Sequence, residues 1–99
     1  MLKGLDPRLG ADVLACLCAM GHGDKIVVAD ANFPAESIAR RTVLGRLLRM
    51  DNLTTPEALR AILSVLPLDT FVPDFAQRMQ IVGDAELIPD VMREAQVEI

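Results

Sequence analysis

Three polar side chains cluster beside an apolar stretch of this chain, and their types suit proton transfer. His22 is the only histidine and lies between Gly21 and Gly23. A neutral imidazole can both take up and release a proton near pH 7. Glycine on either side lets a ligand approach the backbone closely. Asp24 follows two residues later, within reach of the ring. Asp30 closes the run Lys25-Ile26-Val27-Val28-Ala29, and ligands of open α/β sheets bind at the carboxyl ends of strands. Plainer uses exist for each group. A histidine after a helix can bond the last carbonyls and complement the dipole. An aspartate after a strand commonly heads a turn, as Asp24 could too. Residue types alone leave both readings open.

Other chemistries are excluded more firmly. One histidine and two cysteines do not make a zinc ligand set. Cys16 and Cys18 would point to nearly opposite faces of a helix, which rules out a disulfide between them. Free thiols of a reducing, cytoplasmic compartment are the simple reading. No nucleophile elbow, phosphate-binding loop or dinucleotide fingerprint occurs. With a net charge of −4, no Trp or Tyr, and no basic cluster longer than Arg40-Arg41, nucleic acid is not an expected partner. No apolar run approaches the ~18 residues of a membrane span. Val13 to Met20 is preceded by Asp6 and Asp12 and lacks a following cleavage site, so it is not read as a signal core.

The elements that would position these groups can be read from periodicity and turn signals. Asp6-Pro7 has the pattern of an N-cap and first helical residue. Leu9, Val13, Leu14, Leu17 and Met20 recur at helical spacing up to Gly21. Lys25 to Asp30 is short, apolar and β-branched, the pattern of a strand buried on both faces. Asn32-Phe33-Pro34 breaks it, and a short helical turn is expected over Ala35–Ala39. Leu47 to Met50 reads as a second strand ending at Asp51-Asn52. Thr54 and Glu57 have capping-box spacing. They open a helix with Leu59, Ile62, Leu63 and Leu66 as its stripe, stopped by Pro67. Beyond it, 70–72 reads as extended, 77–82 as a strand and 89–95 as a helix. The alternation of strands and helices makes an α/β fold the expected class, in one domain spanning residues 1–99. Hydrophobic residues make up 52% of a 99-residue chain. A domain this small hides only about 60% of its unfolded surface. Apolar material must therefore lie near the outside, which points to a homo-oligomer.

Four blocks carry a family resemblance. They are Met1-Leu2-Lys3-Gly4, Met20-Gly21-His22-Gly23-Asp24, Ala29-Asp30-Ala31-Asn32-Phe33-Pro34 and Leu66-Pro67-Leu68-Asp69-Thr70-Phe71-Val72. In this order and spacing, over residues 1–95, the chain resembles the L-fucose mutarotase and D-ribose pyranase family. Gly23 and Phe33 are similar to the fucose branch. The ribose branch typically has threonine after the histidine and a Gly-Leu-Pro type turn.

The resemblance implies interconversion of the α and β anomers of L-fucose or a related free monosaccharide, with no metal and no cofactor. It implies that His22 is catalytic and that Asp30 binds the sugar. It implies a three-layer α/β/α sandwich around a mixed sheet, in ring-shaped decamers with sites at subunit boundaries. It also implies a C-terminal tail carrying a basic or imidazole sugar ligand and a Tyr-Gly-Asn type segment. The sequence contains no tyrosine, so the expected fold is C-terminally incomplete. Two alternatives follow: a D-ribose pyranase, or an inactive sugar-binding or assembly module.

Overall fold

The computed structural model describes residues 2–68 and residue 76. The readings at 70–72, 77–82 and 89–95 lie outside the described residues. Within them the chain forms three helices, α1 (Ala11–Ala19), α2 (Ala35–Ala39) and α3 (Thr55–Leu63).

Helix α1 begins one turn later than Asp6-Pro7 suggested. Asp6 heads a short turn of its own. Its Oδ1 accepts the Arg8 N–H at 2.9 Å and Nε at 3.0 Å, and its Oδ2 accepts the guanidinium at 2.7 Å. The Asp6 carbonyl accepts the Leu9 N–H at 3.0 Å, closing a separate turn. The helix is instead preceded by Gly10, which is extended (φ −77°, ψ 169°) and has no side chain with which to cap. Leu9, Val13 and Leu17 are buried as their spacing predicts.

Helix α3 starts as the sequence requires. The Thr54 hydroxyl accepts the Glu57 N–H at 3.3 Å, and Glu57 Oε1 accepts the Thr54 N–H at 2.9 Å. This reciprocal box satisfies two amide groups that the first helical turn leaves without partners. Its deepest side chains are not the leucines. Ala61 is fully buried and Ile62 is 4% exposed, whereas Leu59 and Leu63 are half-buried. Leu9, Val13 and Leu17 meet Ala61 and Ile62 in one cluster. Alanine at the centre of a helix contact lets the two backbones approach closely, so the neighbouring helix covers it completely.

Leu14, Met20, Val28, Leu48, Met50 and Leu66 pack around this cluster. Met20 and Met50 are thus core filler, as methionine often is. Val28 is half-buried between exposed Val27 and Ala29, and half-buried Leu48 and Met50 flank exposed Arg49. Neither segment alternates strictly, since Ile26 is exposed and Leu47 is half-buried beside Leu48. Neither forms a ladder among the described residues, and Val27 is 77% exposed. The expectation of burial on both faces is therefore not met within the described part of one chain. A strand needs neighbours on its edges and layers on its faces. Helix α2 spans the predicted five residues. It follows a turn and ends where the Thr42 hydroxyl donates to the Ala39 carbonyl at 2.6 Å. Cys16 is half-buried and Cys18 exposed, and both are free.

The Asp6–Arg8 junction makes the fold acid-sensitive. Hydrogen bonds from the Arg8 guanidinium hold the Asp6 carboxyl at about 2, against an ordinary 3.8. A carboxyl depressed in the folded state contributes stability that is complete above its unfolded value and is lost as pH falls through the folded one. The Glu57 carboxyl is lowered as well, first by the Thr54 amide that it accepts. The urea midpoint should therefore drop between about pH 4 and about pH 2. In Asp6→Asn it should drop less steeply. Equal slopes in parent and variant would remove this ion pair from the account.

Candidate active site

The residues singled out for chemistry lie on the two turns that bound segment 25–30. The first follows α1 directly. The helix ends at Met20, whose backbone is extended (φ −73°, ψ 136°) and whose N–H donates to the Leu17 carbonyl at 3.3 Å. The chain then reverses over Gly21-His22-Gly23-Asp24. The Asp24 N–H donates to the Gly21 carbonyl at 3.1 Å, and Gly23 lies at φ +84°. Positive φ at the third residue alone, with a bond between the first and fourth, defines a type II turn. Glycine is needed at position 23 because a side chain there would be strained. Position 21 carries no such demand. His22 occupies the second position of the turn and is exposed.

Asp24 closes the turn a second time. Its Oδ2 accepts the Gly21 N–H at 2.8 Å. Of the two uses open to Asp24 from its sequence position, turn formation is the one seen in the hydrogen bonds.

Asp30 heads the second turn. Its Oδ1 accepts the N–H groups of Asn32 and Phe33, both at 3.0 Å, and its carbonyl also accepts the Phe33 N–H at 3.2 Å. This side-chain-headed turn redirects the chain into α2. The residue is exposed. One carboxylate oxygen shapes the backbone, and no described residue donates to the other, Oδ2. The bland and the functional readings of Asp30 are thus compatible.

A hollow of about 370 Å³ lies elsewhere, lined by Gly10 to Val13 and Leu47 to Arg49, at the amino end of α1. His22 follows the opposite end of this nine-residue helix, about 13 Å away along its axis. The charges at the hollow are engaged: Asp12 pairs with Arg46 at 3.5 Å, and Arg49 with Asp51 at 3.0 Å. The hollow contributes no predicted site residue. Among the described residues no group of three or more His, Cys, Asp or Glu side chains could hold a metal ion. No described helix is long and apolar enough to cross a membrane.

Comparison with known proteins decides the family. The model of the RbsD/FucU transport protein family matches residues 3–99. The chain belongs to this family. Among its RbsD/FucU relatives, the fucose mutarotase of Bos taurus is 45% identical over 82 residues, covering 83% of this chain and 52% of that protein. The fucose mutarotase of Homo sapiens is 46% identical over 81 residues, covering 82% and 51%. The crystal structure of protein Atu2016, a candidate sugar-binding protein, superimposes with a TM-score of 0.90 at 48% identity. That match covers 99% of this chain and 65% of the other. The chain spans about half the length of the curated relatives it matches. The blocks around His22 and Asp30 are therefore read within an established family.

Proposed function

We propose that this chain works in a monosaccharide mutarotase that interconverts the α and β anomers of L-fucose or a closely related free sugar. One observation carries the reading. An exposed histidine stands on a doubly closed turn, in a chain 45–46% identical to fucose mutarotases.

The chemistry requires little else. His22 removes the proton of the anomeric hydroxyl while a second proton carrier, such as water, protonates the ring oxygen, and the bond from the anomeric carbon to the ring oxygen breaks. The product is the open-chain aldehyde, with a free hydroxyl where the ring oxygen had been. Rotation of the carbonyl and reclosure on the other face return both protons and give the other anomer. No electrons leave the sugar, and no covalent enzyme intermediate forms. An imidazole near neutrality serves in both directions. Asp30 Oδ2 accepts sugar hydroxyls through charge-assisted hydrogen bonds.

The wider reading has support of the same kind. Three-layer α/β/α packing around a mixed sheet would cover the 25–30 segment, whose apolar side chains lie open in one chain. Val27 at 77% and Val43 at 108% exposure support a homo-oligomer, with the ring assembly that the family resemblance implies. The two free thiols suit a reducing cytoplasm.

NMR saturation exchange between the anomers of L-fucose, and separately of D-ribose, tests the activity. Fucose exchange faster than in buffer is expected. Exchange of ribose ring forms alone would assign the chain to the pyranase branch, and binding without exchange would make it an inactive sugar-binding module. Asp30→Asn separates binding from chemistry, because its amide oxygen can still head the turn while the outer acceptor becomes a donor. Losing a hydrogen bond to a charged group costs about 1.5–3 kcal/mol, so KM should rise roughly ten- to a hundredfold. An unchanged KM would exclude Asp30 from sugar binding.

A further inference from the structure

Asp24 closes the turn that carries His22. Resting on the reading of His22 as the proton carrier, we infer that Asp24 is the positioning residue for the imidazole: its carboxylate clamps the turn that carries His22.

Stability alone does not account for the placement. The Gly21 N–H follows the last capping residue of α1 and lies at the surface, where water could satisfy it. A carboxylate also stands at the wrong end of the helix, facing the negative pole of the macrodipole, where a cation would be favourable. The last turn of α1 contains no basic residue to offset it.

Control of the backbone does account for it. Two of the four turn residues are glycines, which have the greatest backbone freedom of any residue. A single bond across such a turn would hold its backbone only loosely. The structure has two, Asp24 N–H to the Gly21 carbonyl at 3.1 Å and Gly21 N–H to Asp24 Oδ2 at 2.8 Å. They run in opposite directions between the same two residues, with His22 between them. The second has a charged acceptor and is the stronger kind. Glycines keep side chains away from the approaching sugar, and Asp24 restores the rigidity that they give up. A reacting group displaced by about 1 Å can lose a hundredfold in rate.

Asp24→Ala and Asp24→Asn in the full chain test this. Asparagine keeps an oxygen able to accept the Gly21 N–H, and alanine does not. In Asp24→Ala, kcat for L-fucose anomer exchange should fall about ten- to a hundredfold, with KM within about twofold of the parent. Hydrogen-exchange protection of the Gly21 amide should be lost, and the backbone order parameter of His22 should fall. Asp24→Asn should restore all three, with an unmoved pH profile. Parent kcat in Asp24→Ala would overturn the inference. So would an Asp24→Asn variant as slow as Asp24→Ala, which would mean that the charge and not the clamp matters. If the parent exchanged no anomers, the mutarotase reading would fail by itself. The clamp would still be decided by NMR, since unchanged order at Gly21 and His22 in Asp24→Ala would sink it.

Discussion

His22→Ala should reduce the anomer exchange catalysed on L-fucose by about a hundredfold to ten-thousandfold, the usual contribution of a positioned acid–base group. Ring opening needs a group that takes a proton and returns it at the same pH. His22 is the only imidazole in the chain. The fold should survive the change, because His22 lies outside the buried cluster and alanine fits the second position of a type II turn. Circular dichroism of the variant should therefore match the parent while NMR saturation transfer between anomers collapses to the buffer rate. His22→Gln sharpens the comparison: the amide can bind a sugar hydroxyl but neither takes up nor releases a proton near neutral pH, so KM should change less than kcat. Exchange that persists at the parent rate in either variant would remove His22 from the chemistry.

Ile62→Ala should be the most damaging single change among the described core residues. Ile62 is 4% exposed, on the face of α3 that meets Leu9, Val13 and Leu17. Removing its outer carbons loses their transfer energy and leaves a hole that the helices only partly close. Such changes cost about 2–5 kcal/mol, with a few tenths regained from the higher helix propensity of alanine. Domains of this kind have a net stability of only about 5–15 kcal/mol, so the loss takes a third or more of it at the lower end. Urea denaturation should show a large fall in midpoint. Val65→Ala, at a position 38% exposed, should show little. Equal midpoints for the two variants would contradict the placement of α3 against α1. The effect should extend to the site, since the His22 turn leaves the carboxyl end of α1 and its orientation follows that helix.

Local signals in the chain were reliable where a local interaction decides the outcome. Thr54 and Glu57 form the box that their spacing predicts, because both partners lie within one turn. Pro34 and the turn before it place α2 at Ala35–Ala39. The stripe of Leu9, Val13 and Leu17 faces the core, because a helix repeats its faces about every 3.6 residues. Asp6 accepts the Arg8 N–H as an N-cap would, and holds the Arg8 guanidinium as well. The turn it heads closes at Leu9 and is not continued, and the helix starts at Ala11. Ala58 and Ala61 carry little hydropathic signal because they are small, yet both are buried, Ala61 completely.

The candidate site divides in the same way. Its residues and turns were legible, since Gly21-His22-Gly23-Asp24 and Asp30-Ala31-Asn32-Phe33 contain every bond that closes them. Sequence by itself determined the capping box of α3 and the two turns, because those depend on neighbours a few residues apart. Only the tertiary structure decided that α1 and α3 meet through Ala61 and Ile62. It also decided that Val27 stays open to solvent in one chain. Those outcomes depend on which backbones and apolar faces three dimensions bring together, and no periodicity encodes that choice.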